Sequence, residues 1–207
     1  SYFEQSLREA DARNDEASRA FCLNSLGLVA ETQNQSDLAA QRYAEALTAA
    51  KESGDLIIQG QVLTNLGNLA LAKGDLATAA TRYRAVVDAA QQIGSEENEA
   101  LGLNNLGIVL LSEFKTSDAQ TALERSFALR EKNGDGYGVV STLRNLGINL
   151  LVSGKPEDSR TWFKRSFNAA ASIPSPYGEG QALFYLSECD RMEGNLAHAL
   201  NGYQSAL

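Results

Sequence analysis

One short stretch recurs five times without change of register: Leu23-Asn-Ser-Leu-Gly27, Leu63-Thr-Asn-Leu-Gly67, Leu103-Asn-Asn-Leu-Gly107, Leu143-Arg-Asn-Leu-Gly147 and Leu183-Phe-Tyr-Leu-Ser187. The final residues stand 40 apart each time. A strict period of this length marks a repeat array, in which each unit buries its apolar face against its neighbours instead of around one centre. For a chain of 207 residues this replaces the ordinary expectation of one or two globular domains.

A second periodic set lies on the partner segment of each repeat. Phe3 and Leu7 correspond to Tyr43 and Leu47, Tyr83 and Val87, Leu123 and Phe127, Phe163 and Phe167, and Tyr203 and Leu207. Spacing of four puts each pair on one helical face. Asp15, Asp55, Ser95, Asp135 and Ser175 recur before helix-like patterns and read as N-caps, accepting from the free N–H groups of a first turn. Asn14, Gly54, Gly94, Gly134 and Pro174 precede them. Gly and Asn tolerate the left-handed closure of a helix, and Pro cannot continue one. Pro176 takes a first helical position, where its missing N–H costs nothing. Gly74-Asp75, Gly154-Lys155-Pro156 and Gly194-Asn195 mark turns inside repeats. Every repeat therefore reads as a helical hairpin. Residues 1–13 are a partial unit, 16–54, 56–94, 96–134 and 136–174 are full units, and 176–207 is partial again. Natural arrays end in polar caps, so apolar ends at Phe3 and Leu207 suggest a piece of a longer protein, able to self-associate through them.

Leu-x-x-Leu-Gly, then Gly-Asp, then Ala79 and Tyr83, resembles the tetratricopeptide repeat. The small residue recurs as Ala39, Ala79, Ala119, Ser159 and Ala199, and the large one as Tyr43, Tyr83, Leu123, Phe163 and Tyr203. The period exceeds the usual length of about 34 residues. Leu replaces the usual first aromatic, and Ala30, Ala70, Leu110, Leu150 or Asp190 replaces the Tyr after the glycine. Such longer repeats are similar to those of spindle-orientation adaptors, of bacterial signal-transduction ATPases and of helix-turn-helix transcription regulators. The resemblance implies an all-α fold, a right-handed solenoid of antiparallel helix pairs, with first helices lining a concave face. Gly27, Gly67, Gly107 and Gly147 each cost roughly 1 kcal/mol in a helix, which implies close helix approach. Ala79 and its equivalents are expected to supply the facing small surface, with Tyr83 and its equivalents beside it.

On that concave face the resemblance places Asn24, Leu28, Glu31, Thr64, Asn68, Leu71, Asn104, Ile108, Leu111, Arg144, Ile148, Leu151, Phe184, Glu188 and Arg191. Asn65, Asn105 and Asn145 form a ladder among them, with Ser25 and Tyr185 at equivalent positions. An amide carries donor and acceptor, complementary to a peptide unit. The ladder either grips a bound peptide backbone or braces adjacent helices. The mixture of apolar and polar residues suits a peptide or helix in a groove. Only Arg144 and Arg191 are cationic there, too few for a carboxylate clamp.

The formal charge of -8, with no Lys/Arg cluster, argues against nucleic acid as a partner of this segment. No run of about 18 apolar residues speaks for a membrane span, and no leader pattern is visible. The expected setting is cytoplasmic. Cys22 and Cys189 lie far apart and read as small buried hydrophobes. Gly134-Asp-Gly-Tyr-Gly138 follows no strand and reads as a joint, not a phosphate loop. His198 is the single histidine and has no catalytic companions. No nucleophile–base pair or metal spacing emerges, so neither catalysis nor a cofactor is expected. The leading reading is a protein- or peptide-binding scaffold. The alternative is the effector-sensing or intramolecular regulatory segment of a bacterial regulator.

Overall fold

The computed structural model describes residues 2–206, and Leu207 of the apolar ladder lies outside them. The described residues form eleven helices and no strand: α1 Tyr2–Arg13, α2 Glu16–Thr32, α3 Ser36–Ser53, α4 Leu56–Ala72, α5 Leu76–Ile93, α6 Glu96–Ser112, α7 Thr116–Asn133, α8 Gly136–Val152, α9 Pro156–Ala171, α10 Pro176–Met192 and α11 Leu196–Ser205. The chain is an all-α solenoid of antiparallel helix pairs. It divides into two compact units, Ser1–Gly102 and Leu103–Leu207, and the division falls inside α6, where there is no loop.

Local chemistry starts and stops the helices where the sequence places its punctuation. Asp15 accepts from Ser18 N at 3.1 Å, Asp55 from Ile57 N and Ile58 N at 2.9 Å, and Asp135 from Gly138 N at 2.8 Å. Ser95 and Ser175 receive longer bonds from Asn98 N and Gly178 N, 3.4 and 3.3 Å. Each satisfies a first-turn donor that the helix itself cannot. Asn14, Gly54, Gly94 and Gly134 take positive φ as the preceding helix ends. The joint before Pro176 differs: α9 stops at Ala171, and Ser172 stays right-handed.

Inside the hairpins the left-handed turn position is filled by Asn34, Gly74, Phe114, Gly154 and Gly194. Phe114, at φ 58°, is the anomaly, because a Cβ there crowds the following carbonyl. Its ring is 77% exposed, so packing does not offset that strain.

The repeated glycines do permit close approach, but their neighbour is not the one expected. A Cβ on Gly67 would stand 2.7 Å from Tyr83 Cε1, on Gly107 2.6 Å from Leu123 Cδ2, and on Gly147 2.5 Å from Phe163 Cε1. The atoms nearest each glycine belong to the large residue, not to Ala79 or its equivalents, and Gly27 meets Tyr43 in the same way. These large side chains are fully buried. In the last repeat Ser187 replaces the glycine, and a Cβ on Gly202 of α11, the residue before Tyr203, would strike the Ser187 side chain. In the first unit Leu23, Tyr43, Leu47, Val62, Leu63 and Val86 belong to one buried cluster.

Candidate ligand-binding cleft

In the first unit, α2, α4, the start of α6 and Val86 of α5 border an open cleft of about 470 Å³. Its rim carries Phe21, Leu28 and Leu101, exposed at 53, 44 and 38%. Between them lie Asn24, Ser25, Gln61, Thr64, Asn65 and Asn98, and none of the lining residues is charged. The α-helical spacing of 21, 24, 25 and 28, and of 60, 61, 64 and 65, turns one stripe of each helix to the cleft.

The asparagines are paired across the repeat step. Asn65 Nδ2 donates to Asn24 Oδ1 at 2.9 Å. Asn24 is buried and Asn65 half-buried, so the pair forms a polar floor with one wetted edge. Ser25 and Thr64 spend their hydroxyl hydrogens on backbone carbonyls one turn back, those of Phe21 and Gly60, both at 2.9 Å. The Asn65, Asn98 and exposed Gln61 amides remain the polar groups best placed to meet a ligand. Asn68 also belongs to the first unit, but its Oδ1 accepts from the Tyr83 hydroxyl at 2.7 Å. Burial pushes the Tyr83 phenol up to about 12. Glu31 accepts the Tyr43 hydroxyl in a similar way.

In the second unit the equivalent pair is enclosed. Asn145, 4% exposed, donates from Nδ2 to Asn104 Oδ1 at 3.0 Å. Thr142 Oγ1 lies 3.2 Å from the same oxygen, and Asn104 Nδ2 reaches Asn105 Oδ1 at 3.4 Å. Buried amides in such a network hold helices together and are closed to a ligand. One turn on, the buried Asn149 donates to Thr116 O at 3.0 Å and Gln120 Oε1 at 2.7 Å.

The remaining expected groove residues of this unit are scattered over local contacts. Ile108 and Ile148 are half-buried. Arg144 donates to Gln181. Tyr185 stacks on Phe163, with centroids 5.1 Å apart and planes at 11°, and Phe184 meets Tyr203 at 5.5 Å. Glu188 accepts from Arg191 at 2.7 Å and from the Tyr203 hydroxyl. The Arg191 bond, ahead of Tyr203, holds the Glu188 carboxyl below its ordinary range.

Three features escaped the sequence reading. Phe21 and Leu101 line the cleft, although the motif positions do not include them. Gly60 lines it too, at a position whose equivalents are Ala20, Ala100, Val140 and Gly180, so the register marks the glycine without showing the space beside it. Arg130 is buried where Ala10, Ala50, Ala90 and Ala170 stand, and donates to Ser141 Oγ at 3.0 Å. Its Nε has no hydrogen-bond partner among the described residues and lies 3.9 Å from Asp135 Oδ2. Burial pushes the Arg130 guanidinium down, and Asp135 partly offsets this.

No group of three or more His, Cys, Asp or Glu residues gathers into a metal site among the described residues. Both cysteines are buried and free. No described helix is long and apolar enough to cross a membrane.

Residues 59–132 match the family model described as Tetratricopeptide repeat. Among solved structures, BtubC (BKLC) from P. vanneervenii is similar with a TM-score of 0.84 at 18% identity, over 99% of this chain and 87% of that one. A Signal Transduction ATPase with Numerous Domains (STAND) protein with a tetratricopeptide repeat sensor, from Pyrococcus horikoshii, gives 0.82 at 15%, over 99% of this chain and 32% of that one. A Rap protein complexed with Competence and Sporulation Factor gives 0.76 at 15%, over 92% and 52%. At these identities the likeness is one of fold. No curated protein matches the sequence.

Proposed function

The chain carries tetratricopeptide repeats, and we propose that it is a protein- or peptide-binding scaffold whose first-unit cleft receives the ligand. The observation that carries this reading is the uncharged cleft itself. Three exposed apolar side chains surround a half-buried Asn65 whose amide is partly wetted. Isolated exposed hydrophobes need no explanation, but several around one polar pair suit an apolar side chain and its peptide unit. The net charge of -8 disfavours acidic ligands and phosphate backbones. No catalytic role is assigned, and the free buried thiols accord with a cytoplasmic setting.

A second reading makes the same cleft a sensor, its occupant an effector peptide or another segment of the same protein. The STAND sensor and the Rap protein with its bound factor, both of this fold, support it. In either case replacing Phe21, Leu28 and Leu101 together by Ser should abolish capture of short peptides selected from a displayed library. Circular dichroism should show the variant still helical and folded at the capture temperature, with a lowered melting temperature because the three side chains are partly buried. Undiminished capture by that variant would refute the cleft as the binding site.

A further inference from the structure

Gly60 has no structural need to be glycine. Its φ is not positive, so no turn requires it. A Cβ built on it meets nothing within 4 Å, whereas one on Gly180, the equivalent in the last repeat, would stand 2.9 Å from Ala206 O. At the other equivalents Ala20, Ala100 and Val140 carry side chains that are buried. Glycine inside a helix is destabilising by roughly 0.5–1 kcal/mol relative to Ala. At position 60 no packing gain compensates. The space left by the missing side chain opens into the cleft between Phe21, Leu28 and Leu101.

We propose that Gly60 floors a notch that receives one large apolar side chain of a bound, uncharged-to-basic peptide segment, and so sets the specificity of the cleft. The proposal rests on the cleft being the ligand site. The lining chemistry selects the occupant. No charged group is present to neutralise a carboxylate or an ammonium within the cleft, so the inserted side chain is uncharged, and Phe21, Leu28 and Leu101 around Gly60 favour an apolar one. The chain's net charge of -8 disfavours acidic flanking residues. Gln61 and Asn65, beside Gly60 on α4, supply amides for the peptide unit carrying that side chain.

The test uses short peptides with blocked ends, selected from a displayed library on the wild-type chain. The strongest binder and its copy with the apolar anchor changed to Ala are titrated against wild type, Gly60→Val and Leu28→Ser. Val is the residue found at position 140, and it is a better helix former than Gly. Burying a large apolar side chain is worth about 10- to 100-fold in affinity, so Gly60→Val should weaken the parent peptide by that factor. Its melting temperature should be equal or higher. The Ala-substituted peptide should bind wild type and Gly60→Val alike. Equal affinity of the parent peptide for wild type and Gly60→Val, with loss on Leu28→Ser, overturns the notch and leaves the cleft standing. Indifference to both substitutions overturns the cleft as well. So does a selection yielding no peptide that depends on an apolar anchor.

Discussion

The same asparagine pair occurs in both units and does different work in each. Asn65–Asn24 and Asn145–Asn104 have the same sequence offset and nearly the same length, 2.9 and 3.0 Å. In the second unit Thr142 adds a third group, and a buried Val140 stands in register with Gly60. In the first unit Val62 stands where Thr142 does, Gly60 leaves the space empty, and Asn65 keeps a wet edge. A repeat position therefore has no fixed role. Its neighbours one helical turn away decide whether an amide is a brace or the lip of a cleft.

The largest effects should come from the glycines under the large side chains. Gly67→Leu presses on the ring of Tyr83, and Gly107→Leu on the branched, rotatable Leu123. Overpacking costs about 1–3 kcal/mol or more, and the rigid ring should make Gly67→Leu the worse of the two in denaturant unfolding. Equal midpoints would mean that the side chain over the glycine does not set the tolerance. Next come the asparagine acceptors. Asn104→Ala strips the acceptor from the buried Asn145 amide, while Thr142 keeps its bond to Gly138 O, and should cost about 1–3 kcal/mol. Asn24→Ala, whose partner Asn65 is half-wetted, should cost about 0.5–1.5 kcal/mol. A reversed order in thermal melts would break the contrast between enclosed and open pairs.

A stabilising change should follow at Phe114. Replacing it by Gly, the residue at 74, 154 and 194, removes the left-handed strain and should raise stability by about 1 kcal/mol. A lower melting temperature would show that the exposed ring has a packing role. The smallest effect is acidic. Hydrogen bonds from Ser18 and Thr78 hold the Asp15 and Asp75 carboxyls below their ordinary range. Folded values below the unfolded ones contribute stability above the ordinary carboxylate range, lost as pH falls through the folded values. The double change Asp15→Asn and Asp75→Asn should flatten the acid limb of a melting-temperature profile. An unaltered limb would assign it to other carboxylates.

Much of the fold was legible because it is written in local chemistry. Asp15, Asp55 and Asp135 cap, and Gly54, Gly94 and Gly134 turn, through groups within a few residues of one another. The partner of each motif glycine was less legible, because which side chain lies over Gly67 depends on how two helices rotate, not on their spacing. The site was readable only as a face. Thr64 and Asn65 border the cleft as that face requires, but Asn68 turns to Tyr83, and Asn145 is sealed by residues from two other turns. Gly60 was visible in the register and gave no sign that its space was empty, since Gly180 breaks the same register for a steric reason.

The central claim is tested most directly by Asn65→Ala beside Asn145→Ala, each followed by calorimetric titration of one library-selected peptide and by thermal melting. Asn65→Ala should weaken the peptide bound by the folded protein by about 0.5–1.5 kcal/mol, and should lower the melting temperature no more than Asn24→Ala does, since both break the same bond. Asn145→Ala should lower the melting temperature and leave the affinity of the folded protein intact. Loss of binding in Asn145→Ala at an unchanged melting temperature, with Asn65→Ala binding as wild type does, would contradict the account.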